Sequence, residues 1–208
     1  GALCSAVAGY MGMGIAVEAN VRTATAANES LNKAFKLSFY AGSVMGLAMV
    51  GLAILGMSVI MLVTQSADLV LGFSFGASTL ALLAKAGGGI YTKTADIAAD
   101  LVGKVEVGIP EDAPRNPAVV ADNVGDNVGD VAGMGADIFD SYVASVVAVM
   151  LIGAVASNGL SMYVVLPLIL CTLGSLASLL GIQFVRVGKN GKPGPALNFG
   201  TIITTALF

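Results

Sequence analysis

Histidine and tryptophan are absent from the 208-residue sequence, and it contains only two cysteines, Cys4 and Cys171. Without histidine, a serine–histidine–aspartate triad and most zinc sites are excluded. Both cysteines lie in apolar segments without paired spacing, which favours small apolar side chains over a disulfide or a metal site. Candidate functional groups must therefore be sought among the carboxylates and the amines.

Charge is also scarce, since 11% of the residues are charged, 56% are hydrophobic and the mean hydropathy is +0.88. A water-soluble domain usually has about 25% charged residues, so the composition indicates a protein whose solvent is the bilayer. The 27 glycines are typical of membrane helices that pack closely. The net charge is −3, and the few cations are scattered among acidic residues rather than massed on one helix, which argues against nucleic-acid binding.

Uncharged runs predict an all-α, polytopic transmembrane helix bundle with about six helices or partial helices. A helix of about 20 residues crosses a hydrocarbon core of about 30 Å. Sufficiently long runs, or partial ones near the ends, occupy residues 2–17, 37–67, 69–84, 141–185 and 196–208. The fourth run is long enough for two helices, and we divide it at the turn signal Ser157-Asn158-Gly159. The chain starts at Gly1 and stops in an apolar run, so we expect residues 1–208 to be an internal fragment of one transmembrane domain.

The alternation of these helices places every lysine and arginine on one membrane face and leaves Asp68 on the other. The positive-inside rule then assigns the charged face to the cytoplasm. On this face, residues 85–140 hold 14 of the 23 charges. Prolines in residues 108–117 interrupt this segment, and Asn116 with Pro117 is typical of a helix start. We therefore predict a cytoplasmic-side helical hairpin over residues 85–140.

The first arm of this hairpin places Lys93, Asp96, Asp100 and Lys104 within an arc of about 80° on an α-helix. Two interpretations stay open for this arc. It is either part of a binding site, or a solvated face with i,i+4 ion pairs that contribute about 0.2 to 0.5 kcal/mol each.

The second arm is predicted to carry five aspartates on one stripe, at about 0°, 40°, 80°, 60° and 0° around an α-helix. Like charges at this spacing destabilise a helix, and acids in the membrane are costly, so a cation must offset them. The stripe consists of Asp122, Asp126, Asp130, Asp137 and Asp140. An oxygen-only ligand set suits Mg²⁺ or Ca²⁺, and the helical period of four does not fit an EF-hand loop. Acids beside a lysine, without a GxxxxGK[ST] loop, suggest a Mg-phosphate substrate rather than a P-loop nucleotide.

Glycines also recur at i+4 beside these acids, at Gly125, Gly129 and Gly133. Close packing against a neighbouring helix is the preferred interpretation of these three. The run Gly87-Gly88-Gly89 predicts either a kink or a tight backbone contact, and the sequence does not decide between them.

At these residues the sequence resembles the membrane-bound, ion-pumping pyrophosphatases. The matching segments are GMGIAVEANVRTA and GGGIYTKTADIAADLVGKVEVGIPEDAPRNPAVVADNVGDNVGDVAGMGADIFDSY. The resemblance extends over essentially the whole chain, roughly a third of a full-length member. It implies a homodimer in the cell membrane, with roughly sixteen helices per subunit. Such an enzyme hydrolyses Mg-pyrophosphate at the cytoplasmic side and pumps H⁺ or Na⁺ outward.

The resemblance also implies roles for individual residues. Lys93 corresponds to the pyrophosphate-binding lysine, and Asp130 to an acid that orients the attacking water and contributes to the metal site. Lys85, Asp130, Asp137 and Asp140 correspond to the pathway that couples hydrolysis to the ion gate. Further positions at or beside the Mg-pyrophosphate site are Asp96, Asp100, Glu111, Asn123 and Asp126.

Two departures from the family pattern bear on pumping. Lys85 stands where arginine is usual, which keeps the charge but loses bidentate pairing. Asp140 stands where many members carry glutamate, which is one methylene longer. The choice between H⁺ and Na⁺, and activation by K⁺, therefore stay open. A secondary cation transporter is the alternative function, but it leaves the array from Lys93 to Asp130 without a purpose. We expect the fragment alone to be inactive, since it holds only part of the metal site.

Overall fold

The computed structural model describes residues 1–110, 113, 115–157, 161–188 and 191–208. Within them the chain is helical, and two helices contain a π-helical segment. The elements are α1 (Ala2–Ala27), α2 (Leu31–Thr64), α3 (Ala67–Asp100), π1 (Leu101–Val107), α4 (Ala118–Asp126), π2 (Asn127–Gly133), α5 (Met134–Ser157), α6 (Met162–Ile182) and α7 (Pro193–Leu207). Because π1 continues α3, and α4, π2 and α5 are continuous, six helical rods result. The predicted all-α bundle and its helix number are confirmed.

Five of these rods are long and apolar enough to cross a membrane. At 26 residues α1 is a full candidate span, so the expectation of a partial crossing there is wrong. The rod α7 has 15 residues and is shorter than a full crossing, as expected. The division of the long fourth run is confirmed, because α5 ends at Ser157 and α6 begins at Met162.

Two neighbouring rods are much longer than a bilayer requires. Ala67–Val107 contains 41 residues and Ala118–Ser157 contains 40. At 1.5 Å per residue each measures about 60 Å, roughly twice the hydrocarbon thickness. Each rod is therefore long enough to extend beyond a membrane at one end. The two rods contain the arms of the hairpin predicted over residues 85–140, and Gly108 ends the first arm with a φ of +65°, a left-handed conformation that favours glycine.

The polar connections lie at the same end of the bundle as this hairpin. The Asn32 side chain, in the first turn of α2, donates a 2.8 Å hydrogen bond to the carbonyl of Gly188, beyond α6. The Asn20 side chain near the end of α1 donates a 2.8 Å hydrogen bond to Asn127 Oδ1 in π2. Asp68 lies in the first turn of α3, at the opposite end. The segregation of charge to one face, predicted from the sequence, is present among the described residues.

The packed core lies in the apolar half of the bundle, between α2, α3, α5 and α6. The rings of Phe73 and Phe139 pack at 6.3 Å between centroids, with their planes tilted by 43°. Met57, Val70 and Val143 beside them are inaccessible to solvent. Many large apolar side chains on the outer faces are exposed, as expected of surfaces that meet lipid or further helices.

Candidate functional site

Glycine contacts hold the two arms of the hairpin together. A Cβ atom built on Gly125 would lie 3.1 Å from Thr92 Cα, and one on Gly133 would lie 3.2 Å from the carbonyl oxygen of Ala84. At Gly129 the hydroxyl of Thr92 occupies the space a side chain would need. The predicted close packing of these three glycines is confirmed.

The run of three glycines on α3 makes a backbone contact rather than a kink. A Cβ atom on Gly88 would lie 3.1 Å from the carbonyl oxygen of Val128, whereas Gly87 and Gly89 have no atom within 4 Å of that position. The helix α3 continues through all three. Thr92 shares its hydroxyl proton between the carbonyl oxygens of Gly88, at 2.9 Å, and Gly125, at 2.6 Å. This hydroxyl therefore links the two arms.

Asn116 closes the hairpin at its tip. Its side chain is buried, donates a 2.9 Å hydrogen bond to the carbonyl of Ala99, and accepts a 3.0 Å hydrogen bond from the backbone N–H of Ala118. The second of these bonds satisfies a backbone donor at the start of α4, whose cap residue is Pro117 rather than the predicted Asn116. The first ties the start of α4 to the end of α3. Asn116 thus positions the second arm against the first.

The predicted cation–acid arc on α3 forms two ion pairs. Lys93 Nζ pairs with Asp96, and Lys104 Nζ lies 3.2 Å from Asp100. The four side chains are between 38% and 71% exposed, so each pair alone contributes little to stability. Asp122, on the facing arm, adds to the negative charge around Lys93, after the larger contributions of Asp96 and Asp100. Both arms therefore contribute to the negative potential at Lys93.

The five aspartates of the second arm do not form the single stripe that the sequence predicted. Residues 127–133 are π-helical, and a π segment contains more residues per turn than the α-helix assumed in the angular count. Compared with a continuous α-helix of the same residues, the acids after π2 therefore point in a different direction from the acids before it. The expectation of one continuous stripe from Asp122 to Asp140 is wrong for this reason.

Beyond π2 the acids point to α3. Asp137 Oδ2 lies 2.6 Å from Lys85 Nζ, and the carboxylate of Asp140 accepts a hydrogen bond from the hydroxyl of Ser78. The structure thus brings three predicted coupling residues, Lys85, Asp137 and Asp140, to the contact between α3 and α5.

Asp130 has different surroundings. It lies in π2 and is one of the residues lining a cavity of about 220 Å³ between α2 and α5. Most of the lining is apolar and includes Met45, Met49 and Met134. Asp130 is the sole acid among those lining residues. Asp130 therefore lines a cavity beside α2, whereas Asp137 and Asp140 contact α3.

The remaining predicted metal positions are less closely assembled. Asp126 is exposed on α4, and the Asn123 side chain is exposed and donates to the carbonyl of Val119 in its own helix. Glu111 lies outside the described residues. Among the residues that are described, no group of three acids is close enough to hold a metal ion. Any metal site that includes these side chains must draw further ligands from elsewhere.

Four polar residues in these contacts were not singled out from the sequence: Asn20, Ser78, Thr92 and Asn127. Their hydrogen bonds to other helices join residues at least 33 positions apart in the sequence. Asn20, Thr92 and Asn127 had a weak signal, because all three lie inside segments that resemble the family. Ser78 had none beyond being a hydroxyl residue in an apolar run.

Comparison with known proteins assigns the chain to a family. The family described as inorganic H⁺ pyrophosphatase matches residues 1–208. The chain belongs to the inorganic H⁺ pyrophosphatase family. The predicted relationship is therefore confirmed over the full length of the sequence.

Several members of this pyrophosphatase family are close relatives. The chain is 55% identical to a K⁺-insensitive pyrophosphate-energized proton pump of Methanosarcina mazei, over 100% of this chain and 31% of that protein. It is 54% identical to a putative K⁺-stimulated pyrophosphate-energized sodium pump of Clostridium tetani, over 98% of this chain and 30% of that protein. The similarity extends to plants, with 43% identity to the Arabidopsis thaliana pyrophosphate-energized membrane proton pump 3. The chain spans between 26% and 31% of the length of these pyrophosphatase relatives.

Proposed function

We propose that the protein containing this chain hydrolyses Mg-pyrophosphate to two phosphates and couples the reaction to outward transport of H⁺ or Na⁺. The observation that carries the proposal is the position of Lys93, which pairs with Asp96 on its own arm and experiences further negative charge from Asp100 and from Asp122 on the other arm. An ammonium group among carboxylates, beyond the apolar half of the bundle, suits a doubly phosphorylated anion that arrives with divalent cations. The names of the relatives agree with this substrate.

The donor atoms fit Mg²⁺ as part of a larger site. Asp96 and Asp100 on α3, and Asp122 and Asp126 on α4, offer carboxylate oxygens, which magnesium prefers. Asp96 and Asp100 are 38% and 40% exposed, so their oxygens are accessible to a ligand. We assign these four aspartates, together with Asn123 and Glu111, to magnesium and its pyrophosphate. Bound there, Mg²⁺ would neutralise charge on the phosphate oxygens.

The chain's own residues then bind, position and accept a proton. Lys93 holds phosphate oxygens through its ammonium group, and Asp96 keeps that ammonium in place. Asp130 accepts a hydrogen bond from the attacking water and takes its proton as the water oxygen bonds to one phosphorus. The bond from that phosphorus to the bridging oxygen breaks, and the second phosphate leaves with the bridging oxygen. A second acid, in the part of the protein beyond this chain, shares that role. Catalysis of this kind depends mainly on position and electrostatics, so no covalent phosphoenzyme is required.

Coupling follows the continuous rod from α4 to α5. Asp137 and Asp140 lie about 16 to 21 Å further along this rod than Asp126, at 1.5 Å per residue. A displacement of α4 on hydrolysis would act on the Lys85–Asp137 ion pair and on the Ser78–Asp140 hydrogen bond. We assign these two contacts to the gate that admits the transported ion.

The identity of the ion and the assembly are further parts of the proposal. The relatives include both proton and sodium pumps, and both K⁺-stimulated and K⁺-insensitive proteins. Transport of either ion, and a K⁺ activator, therefore fit this family. A homodimer in the cell membrane, with the charged face in the cytoplasm, follows from the positive-inside rule and the family resemblance.

The decisive experiment uses the full-length protein in sealed vesicles. Phosphate release from pyrophosphate, and ion uptake, should both require Mg²⁺, and Asp130→Asn should lower both by at least about 100-fold. Asp68→Asn is the matched control, because Asp68 lies at the opposite end of the bundle and should leave both rates near the wild-type values. Normal hydrolysis by Asp130→Asn would rule out the role of Asp130, and ion transport without hydrolysis would favour a secondary transporter. Residues 1–208 alone should release no phosphate.

A further inference from the structure

A polar cavity, different from the mostly apolar one that Asp130 lines, lies at the charged end of the bundle and away from the hairpin. Its volume is about 480 Å³, and it is enclosed by the first turns of α2 and by residues 185–187 beyond α6. Three cations line it: Lys33, Lys36 and Arg186. The Asn32–Gly188 hydrogen bond joins the two walls. The cavity is therefore a basic pocket formed between two membrane-spanning rods.

Two of the three cations are available to an anion. Lys33 pairs with Glu29, and this hydrogen bond lowers the pKa of the Glu29 carboxyl, so the charge of Lys33 is already partly neutralised. Lys36 and Arg186 have no carboxylate within ion-pair distance in the part of the chain that the structure describes. Lys36 Nζ instead lies 5.9 Å from the centre of the Tyr40 ring, and Arg186 Nε donates to the carbonyl of Gln183.

The length of α6 fixes the depth of this pocket in the membrane. Its 21 residues correspond to about 31 Å, close to the thickness of the hydrocarbon core. Arg186 follows the end of α6 by four residues and therefore lies at the level of the lipid headgroups. One turn deeper along α2 than Lys36, the pocket is lined by Phe39 and Tyr40. Aromatic side chains of this kind are typical of the boundary between headgroups and acyl chains.

We propose that this pocket binds the headgroup phosphate of an anionic phospholipid, between the ammonium of Lys36 and the guanidinium of Arg186. The cations lie at the level of the lipid headgroups, and the aromatic rings lie one turn deeper in the membrane. The pocket therefore matches the charged headgroup and the start of the acyl chains of a phospholipid. A free phosphate ion would use the cations and leave the aromatic wall without a role. Basic pockets between transmembrane helices on the cytoplasmic side are a known mode of anionic lipid recognition. The site is separate from the hairpin and does not depend on pyrophosphate hydrolysis.

The test compares variants of the full-length protein in nanodiscs of equal parts phosphatidylglycerol and phosphatidylcholine. Native mass spectrometry counts the lipids that stay bound after detergent transfer. Lys36→Gln combined with Arg186→Gln should weaken phosphatidylglycerol retention about 30-fold, as expected for two interfacial cations. The swapped pair Lys36→Arg with Arg186→Lys keeps both charges and should keep the lipid. Lys192→Gln removes a cation outside the pocket and should also keep it.

Three results would overturn the proposal. The first is equal retention of phosphatidylglycerol by the double glutamine variant and the wild type. The second is retention of phosphatidylcholine as strong as that of phosphatidylglycerol. The third is displacement of the lipid by inorganic phosphate at a concentration where chloride has no effect, which would make the pocket a site for a free anion. Loss of lipid from the double glutamine variant, with retention by the swapped pair, supports the proposal even if the stability of the protein changes.

Discussion

The two rods that form the hairpin are held together differently in their membrane half and in their projecting half. In the membrane half, Phe73, Phe139 and Val143 interlock as large, fully or nearly fully buried side chains. In the projecting half, the contacts are made by backbone and small residues, such as Gly88 against Val128 and Gly125 against Thr92. The same pair of helices thus changes from side-chain packing to backbone packing along its length.

This difference separates stability from chemistry. Large buried side chains lose many contacts when they are truncated, so the membrane half should determine resistance to unfolding. Glycine contacts bring the backbones of the arms close together, while the charged side chains of Lys93 and Asp96 stay accessible. The projecting half should therefore determine catalytic geometry. Four experiments on the full-length protein test this division, in decreasing order of expected effect.

The largest effect is expected from Lys93→Gln, which removes the ammonium group that we assign to substrate. The kcat/KM for pyrophosphate should fall about 1,000-fold, as for the loss of a positioned electrostatic group. The midpoint of thermal unfolding should stay unchanged, because the Lys93 side chain is 71% exposed. Initial rates of phosphate release and a melting curve measure the two quantities. A kcat/KM within tenfold of that of a Lys192→Gln control would contradict the assignment of Lys93.

The second substitution, Phe139→Ala, should show the opposite pattern. Phe139 is 1% exposed and packs on Phe73, so its truncation should lower the free energy of unfolding by about 3 kcal/mol. The hydrolysis rate per folded molecule should change little at low temperature. Thermal inactivation in detergent measures the first effect, with Phe75→Ala as the control, because Phe75 is 66% exposed. Equal loss of stability in both variants would mean that the buried Phe139 contributes no more to stability than the exposed Phe75.

Third, Gly125→Val should separate the arms without removing a charge. A side chain here meets Thr92 Cα and Ala95 Cβ, so the arms must shift by a fraction of an ångström or more. A displacement of this size at a reacting centre lowers kcat by about 100-fold. Gly89→Val introduces the same residue on α3, where no atom lies within 4 Å of the added Cβ. If both valine variants lose the same activity, helix propensity rather than the approach of the arms is responsible.

The smallest effect is expected where the two halves meet, at the ion pair of Lys85 with Asp137. The side chains are 62% and 39% exposed, so solvent screens much of their attraction. A double-mutant cycle with Lys85→Gln and Asp137→Asn should give a coupling of about 0.5 kcal/mol in stability. Ion uptake per phosphate released, measured in the same variants, should fall more than hydrolysis does. Unchanged stoichiometry in both single variants would remove this pair from the coupling pathway.

The helix number, the hairpin and the segregation of charge could be predicted because a bilayer restricts the sequence severely. Charged residues are excluded from its core and helices must be long enough to cross it, so both leave signals in composition alone. The close packing of Gly125, Gly129 and Gly133 was predictable for a related reason, since an i+4 repeat of glycine marks one face of a helix.

The arrangement of the acids was only partly predictable, because it depends on helix winding. The predicted positions around the helix assume 100° per residue throughout. No sequence pattern in residues 127–133 predicts a π-helix. The position of Asp130 toward α2 was missed for this reason. The link from Asn20 to Asn127 was missed because it joins residues 107 positions apart. The assignments of Lys93, Asp96, Asp100, Asn123 and Asp126 to substrate and metal stay predictions.

The π-helical segment between Asn127 and Gly133 gives this rod one place where its length in residues can change. Deletion of a single residue there, such as Val131, would keep every charge in the chain and let the wide π turn contract to an α turn. The two ends of the rod would then keep nearly the same phase, so Asp137 would still meet Lys85. Deletion of Ala136, in the α-helical part that follows, would instead rotate Asp137 and Asp140 by about 100° relative to Asp122 and Asp126. The π segment can therefore absorb an insertion or deletion that the α-helical parts of the rod cannot.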